Sequence, residues 1–389
     1  MNILHISPYF PDIDENHAGG VCMGKEVDTL KKWNRVFILT FITSKFDHDI
    51  AVKYKNDYFY KTVNINKWTK LLHVLFLPIL PNFFAARSSI RFAFHIITMI
   101  KKNNIEAVHA EYSSMGQYFG LIRWLFPSIK INLVEHDVTI QSYERMRDSA
   151  AGIIKFYYEW QCKLIKKAEA SYCRKADTVI VFNEKDKSLI QKYYKIKDVR
   201  VLNPYYGIDE KIEFQSNYTN KGKNICFLGQ MSRKENYEAA YRLIQISKLI
   251  KKNIPDLQVY IVGNNPPQCL KAEENEYIHV TGYVEKVDSY ILKCQLAVFP
   301  LLLGAGIKLK VLRSLALGVP VITGKIGAEG IDEEGKIIVL AESNTEYQLA
   351  VEELLNDDKK RQALSEKSKV YAINNFGWEK SIKTLRSLY

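Results

Sequence analysis

Pro300-Leu301-Leu302-Leu303-Gly304-Ala305-Gly306-Ile307-Lys308 leads into a helical stretch, 310–317, and then into Gly318-Val319-Pro320-Val321. In order, this is a strand end, a glycine loop, a lysine beside a helix start, a helix and a second strand. Loop glycines let backbone N–H groups approach an anion with no side chain in the way. Together with Lys308 they can cradle a phosphate. The spacing G-x-x-x-x-G-K-[ST] is absent, which argues against a P-loop NTPase.

The same alternation runs outward in both directions. Short apolar, β-branched-rich runs at 2–6, 36–41, 107–110, 131–134 and 178–182 read as strands, followed by a second set at 224–228, 258–262, 278–281, 296–300, 319–323 and 337–340. They lack clean alternation, as parallel strands covered on both faces do. Between them lie helical periods. Ile154, Tyr157, Ile165, Ala168 and Tyr172 share one face of a long basic helix, and Tyr237, Ala240, Leu243, Ile244 and Ile250 share another. Strand–helix alternation predicts doubly wound α/β architecture. The pattern restarts once, after a turn-rich linker at 203–222. This gives two Rossmann-like halves, 1–203 and 204–377, with ligands expected in the cleft between them, at the carboxyl ends of the strands.

Those strand ends carry the candidate residues. After the first strand come Ser7-Pro8-Tyr9-Phe10-Pro11 and then Gly19-Gly20, with a helix expected from about Val21 whose positive end faces an anion. Glu135-His136-Asp137 follows the 131–134 strand. His136 there can donate to a sugar hydroxyl or phosphate or act as acid or base, held charged by neighbouring carboxylates. In the second half, Gly229 to Asn236 places Arg233 and Lys234 where a diphosphate would lie. Thr281-Gly282-Tyr283-Val284 ends a strand where backbone groups and the tyrosine ring can hold a flat base. Glu329, within Gly327-Ala328-Glu329-Gly330-Ile331, can reach a ligand.

Composition bounds the reading. The chain has 389 residues, 47% hydrophobic and 25% charged, with a net charge of +12. That is ordinary globular composition with capacity for a large core. The positive balance favours anionic partners without choosing among them. No helix-turn-helix, RNA-binding aromatic signature or zinc finger supports nucleic acid as the partner. The six cysteines form no Cys-x-x-Cys pair and no zinc spacing, so reduced thiols and no metal are expected. The N-terminus shows no basic-then-apolar leader, and the longest uncharged run, 71–86, is short and holds Pro78 and Pro81. A cytoplasmic protein is the expectation. The basic, aromatic and apolar stretch 67–77 can dock on an anionic membrane surface, which would place the protein at the inner face of the plasma membrane.

On these residues the chain resembles a bacterial glycosyltransferase of the family 4 kind, the glycosyl transferases group 1, with the GT-B fold of two Rossmann-like domains facing across a cleft. The likeness rests on Ser7-Pro8-Tyr9-Phe10-Pro11 with Gly19-Gly20, Glu135-His136-Asp137, Lys175-Ala176-Asp177-Thr178-Val179-Ile180, and Asn203-Pro204-Tyr205-Tyr206-Gly207-Ile208-Asp209. Gly304 to Pro320 with Gly330-Ile331 is its most specific part, and Phe376-Gly377-Trp378 is similar to the family's segment that crosses back onto the first domain. The resemblance implies a nucleotide-sugar donor held by the second half and a glycan or lipid-linked acceptor held by the first, with helix 378–389 returning to the first. It implies transfer with retained anomeric configuration, no required cofactor or metal, and a role in cell-surface polysaccharide synthesis. His136 matches the family's cleft histidine and Lys234 its phosphate lysine. Gly306, Ile307 and Lys308 match the glycine loop, and Arg233 stands in for an arginine replaced by Gln230. One departure is plain. The family usually carries two glutamates eight positions apart, the second holding ribose. Those positions are Ala305 and Arg313 here. A guanidinium has donors and no acceptor, so it cannot take that role. Ribose would be held otherwise, for instance by Glu329, or Arg313 would grip phosphate. A non-catalytic GT-B subunit serving a partner transferase is the alternative.

Overall fold

The computed structural model describes residues 1–12, 18–42, 45–54, 57–65, 80–208 and 222–389. The chain divides into two compact units. One holds the opening strand, Gly19–Asn203 and Glu379–Tyr389, and the other holds Pro204–Trp378.

The first unit is a seven-stranded sheet: β1 (Asn2–Ser7), β2 (Arg35–Ile42), β3 (Phe59–Asn64), β4 (Ala107–Glu111), β5 (Lys130–Glu135), β6 (Thr178–Val181) and β7 (Val199–Val201). Its order is β3-β2-β1-β4-β5-β6-β7, and every pairing is parallel. Parallel neighbours require crossovers, and the helices between strands supply them. The central strands are buried along almost their whole length, so both faces are covered. Helix Ile90–Asn103 packs Phe92, Ile96 and Ile100 inward, with Phe92 stacked on Phe41 of β2 at 4.2 Å.

The second unit has six strands: β8 (Lys223–Leu228), β9 (Leu257–Val262), β10 (Ile278–Gly282), β11 (Leu296–Phe299), β12 (Val321–Thr323) and β13 (Val339–Leu340). Their order is β10-β9-β8-β11-β12-β13, again parallel throughout. Phe227 of β8 and Phe299 of β11 meet in its core.

Every strand read from the sequence appears, with ends shifted by one or two residues. Two were missed, β3 and β7, and both are sheet edges. β3, Phe-Tyr-Lys-Thr-Val-Asn, buries Val63 and leaves most other positions open. A one-sided edge strand gives no continuous apolar run to read. The long helix Gly152–Lys175 also departs from expectation. Ile165 and Tyr172 are buried, but Ile154 and Tyr157 are exposed.

Strand order reverses once in each sheet, between β1 and β4 and between β8 and β11. Loops leaving those strands on opposite sides open a crevice at their carboxyl ends, which is where open α/β sheets take ligands.

Candidate functional site

In the second unit the crevice is formed by the loops after β8 and β11. The β11 loop turns through Gly304 at φ +127° and Gly306 at φ +67°, conformations that glycine reaches without strain. Lys308, at the N-cap of helix Leu309–Ala316, folds back on this loop. Its Nζ donates to the carbonyls of Ala305 at 3.0 Å and Gly306 at 2.6 Å, and lies 4.0 Å from the buried carboxylate of Glu329. The loop read as an anion cradle is thus clipped into shape by its own lysine, and Glu329 is a buried partner of that lysine.

Lys310, which the sequence reading passed over, stands beside it. Its Nζ donates to Asn236 Oδ1 at 2.7 Å and sits 4.6 Å from the centre of the Phe227 ring. Asn236 in turn donates to the carbonyl of Gln230 at 2.9 Å, tying the β8 loop to the helix after β11. Burial, with the positive charges of Lys308 and Arg233 and against a smaller opposing pull from Glu235, lowers the Lys310 pKa to about 7. Lys308, Arg233 and Lys310 therefore share one corner, where the first two raise the cost of charging the third. An anion there relieves that cost.

Lys234 does not join them. It is 67% exposed and pairs with Glu238 at 3.6 Å, one turn along the helix Lys234–Asn253. The reason is helical period: Asn236, Ala239, Ala240 and Leu243 face inward, so position 234 looks out. Arg233 caps that helix and reaches Glu235 at 2.6 Å. Arg313 grips no loop backbone. Its Nε donates to Asp288 Oδ1 at 2.6 Å, and its guanidinium lies so close to Gly207 that a Cβ there would sit 2.7 Å from Nη1. Gly282 ends β10 at φ +68°, Tyr283 is 56% exposed, and Val284 packs partly on the core. Tyr283 thus offers an open ring face.

In the first unit, Gly19 and Gly20 are not a loop before the helix. The helix is Ala18–Leu30, so both lie buried in its first turn, where helical N–H groups have no intrahelical acceptor. The Gly20 carbonyl accepts from the Asp12 backbone at 3.1 Å.

His136 follows β5 directly. The carboxylate that holds it is not one of its chain neighbours. Its Nε2 lies 2.8 Å from Glu111 Oε2 on β4, and its ring stacks on Tyr112 with centroids 3.9 Å apart. Glu135 points elsewhere, with an oxygen 2.5 Å from Ser113 Oγ, which is also 2.8 Å from the buried Glu169. Burial raises the Glu135 pKa well above the usual carboxylate range, and the Glu169 charge adds to it.

Glu111 belongs to a larger buried group. Strand register sets His5 of β1 opposite His109 of β4, and Glu111 is two residues on, on the same face as His109. His5 Nε2 lies 3.1 Å from Glu111 Oε1; His109 Nε2 lies 3.2 Å from the same oxygen and 3.1 Å from Glu26 Oε2. The C-terminal Tyr389 hydroxyl meets His109 Nδ1 at 2.6 Å. Burial alone would lower His109, but Tyr389 and the two carboxylates outweigh it and hold it well above its ordinary value. Burial would raise Glu111, but hydrogen bonds from His109, His136 and His5 hold it well below. Burial next to Glu111 pushes Glu26 up to about 7. The donor atoms of His5, His109 and Glu111 lie within 4.8 Å of one another, close enough to hold a metal ion. His109, held up, faces Glu111, held down, as imidazolium against carboxylate, while burial lowers His5. These residues were missed, yet a signal existed: His5 and His109 interrupt runs read as buried strands, Glu111 directly follows one, and a buried ionisable group needs partners.

The stretch 67–77 lies outside the described residues, as do 209–221 of the linker. Among the described residues no helix is long and apolar enough to cross a membrane.

Comparison with known proteins agrees with this geometry. Residues 222–357 match the family model described as glycosyl transferases group 1. An uncharacterised glycosyltransferase of Methanocaldococcus jannaschii is 23% identical over 296 residues, covering 71% of each chain. Sucrose-phosphate synthase of Thermosynechococcus elongatus superimposes with a TM-score of 0.72 at 15% identity, covering 100% of this chain and 98% of that one. HepE of Anabaena, solved in complex with UDP, superimposes with a TM-score of 0.69 at 11% identity, covering 100% and 99%. Two parallel Rossmann-like sheets give this chain the fold of the GT-B glycosyltransferases, and its second unit carries the match to the glycosyl transferases group 1 model.

Proposed function

We propose that the chain moves a sugar, with retention of anomeric configuration, from a nucleoside diphosphate sugar to a glycan or lipid-linked acceptor, in cell-surface polysaccharide synthesis on the cytoplasmic side of the membrane. The observation that carries the reading is the corner of Arg233, Lys308 and Lys310 on the glycine loop at the β8/β11 switch point. Cations and a helix N-terminus there stabilise the departing diphosphate, whose charge grows in the transition state. The open ring of Tyr283 suits a base. His136, with Nε2 committed to Glu111, has Nδ1 to offer a sugar hydroxyl. Titration with UDP, GDP and dTDP, followed by a panel of their sugars scored for transfer or hydrolysis, tests the reading. No diphosphate binding would defeat it, and product anomeric configuration by NMR tests retention.

One observation favours the non-catalytic reading, namely Arg313 where the family usually has glutamate. Its bond to Asp288 gives the active reading an answer, because it sets a carboxylate from the neighbouring helix Val287–Lys293 beside position 313. Asp288→Asn is then expected to weaken nucleotide binding about tenfold or more, as for loss of a charged hydrogen bond. Unchanged binding would leave the partner-subunit reading in front.

A further inference from the structure

We propose that the N-terminal half of helix Gly152–Lys175 is a docking surface for an anionic lipid bilayer. This helix divides sharply. Its second half does the packing, burying Gln161, Cys162, Ile165, Glu169, Tyr172 and Cys173. Its first three turns hold apolar residues in water: Ile153 is 84% exposed, Phe156 is 73% exposed, and Ile154, Tyr157 and Trp160 are exposed as well. An ordinary surface helix turns that stripe inward. A contiguous exposed apolar patch on a folded unit marks an interaction site.

The pattern selects the partner. Phe156, Trp160, Lys163 and Lys167 follow at i, i+4, i+7 and i+11, so aromatic rings and ammonium groups lie in one row along the helix. Lys155, Lys163, Lys166 and Lys167 are all exposed, whereas the carboxylate of Glu169 is buried, leaving Glu159 as the helix's outward acid. Tyrosine and tryptophan with lysine beside an aliphatic patch is the composition of a headgroup interface. Protein–protein interface cores are depleted in lysine, which argues against a protein occupant. Phe83, exposed next to Asn82, widens the patch, and Asn82 is joined to the helix through Tyr157 Oη and through Gln161 Oε1, the latter at 2.9 Å from its backbone nitrogen. The inference rests on the proposed function only in that a lipid-linked acceptor would lie at such a surface; lipid binding is read separately from nucleotide binding.

The test is co-sedimentation of the full chain with phosphatidylcholine vesicles, with and without phosphatidylglycerol. Wild type is expected to bind the anionic vesicles and not the neutral ones, with a blue shift of tryptophan emission that Trp160→Phe removes. Lys163→Gln/Lys167→Gln should weaken binding roughly thirtyfold, at about fivefold per lysine near an anionic surface. Phe156→Ser/Trp160→Ser should abolish it, and both variants should bind UDP as wild type does. The proposal is overturned if wild type ignores anionic vesicles or if the variants sediment unchanged. It is equally overturned if light scattering shows a wild-type dimer that Phe156→Ser/Trp160→Ser dissolves, since the face would then bind a second copy. Loss of UDP binding in wild type would strike the proposed function and leave this inference standing.

Discussion

Lys310 shows how one residue can link fold, charge and ligand. Its ordinary pKa lies near 10.5, and in this fold it falls to about 7 because burial and two neighbouring cations oppose charge. A lowered lysine favours the neutral form, so the unliganded fold is penalised increasingly as pH drops from 10.5 toward 7. A diphosphate favours the ammonium form and should raise the pKa again. UDP affinity is therefore expected to be full below about pH 7 and to weaken by up to about tenfold per pH unit above it, with proton uptake seen by calorimetry in buffers of different ionisation enthalpy. Lys310→Met should flatten that dependence, weaken UDP, and raise the melting temperature of the free protein, since a thioether on Phe227 carries no charge to desolvate. A pH-independent wild-type affinity would remove Lys310 from the site. Lys308 was legible because it follows a glycine loop. Lys310 was not, because a lysine in a helix's first turn usually points to water, and only the packing of Phe227 and Asn236 turns it inward.

Among the elements, the closing helix Trp378–Leu388 carries the clearest consequence. Leu385 and Leu388 are fully buried, Ser381 donates to the Asn203 carbonyl at 2.9 Å, and Lys130 donates to the Leu388 carbonyl at 2.8 Å. Removing residues 379–389 uncovers two leucine sites at roughly 2–5 kcal/mol each and takes the Tyr389 hydroxyl from His109. Urea denaturation should show the truncated chain destabilised by several kcal/mol. Tyr389→Phe alone should lose about 1–3 kcal/mol, the cost of leaving a buried imidazole nitrogen unpaired. A Tyr389→Phe chain as stable as wild type would mean the His109 contact carries no weight. The returning helix at 378–389 came from the resemblance, but the hydrogen bond from Tyr389 to a strand histidine 280 positions away was not legible. Edge strands β3 and β7 were unreadable for a related reason, since their partners in the sheet, not their own apolar runs, make them strands.

For the whole molecule, the proposed function expects transfer chemistry run by fixed cations, with no resident metal. His5, His109 and Glu111 have donor atoms close enough for one, but the Glu111 carboxylate is already held by His5, His109 and His136. Transfer is accordingly expected to survive dialysis against EDTA undiminished, and a large loss restored by a divalent ion would reverse that reading. The sequence by itself determined the architecture: two rounds of β-branched strands alternating with helical periods force parallel sheets, because buried strands without alternation must be covered on both faces. It also located the glycine loop, Lys308 and His136, since turn chemistry is local. What only the tertiary structure decided is the company each charge keeps. Glu111 rather than Glu135 holds His136, Lys310 rather than Lys234 faces the loop, Asp288 takes Arg313, and the face of Phe156 and Trp160 stays in water. Periodicity tells how an element repeats; which side of it meets another is set by strand register and packing between residues far apart in the chain.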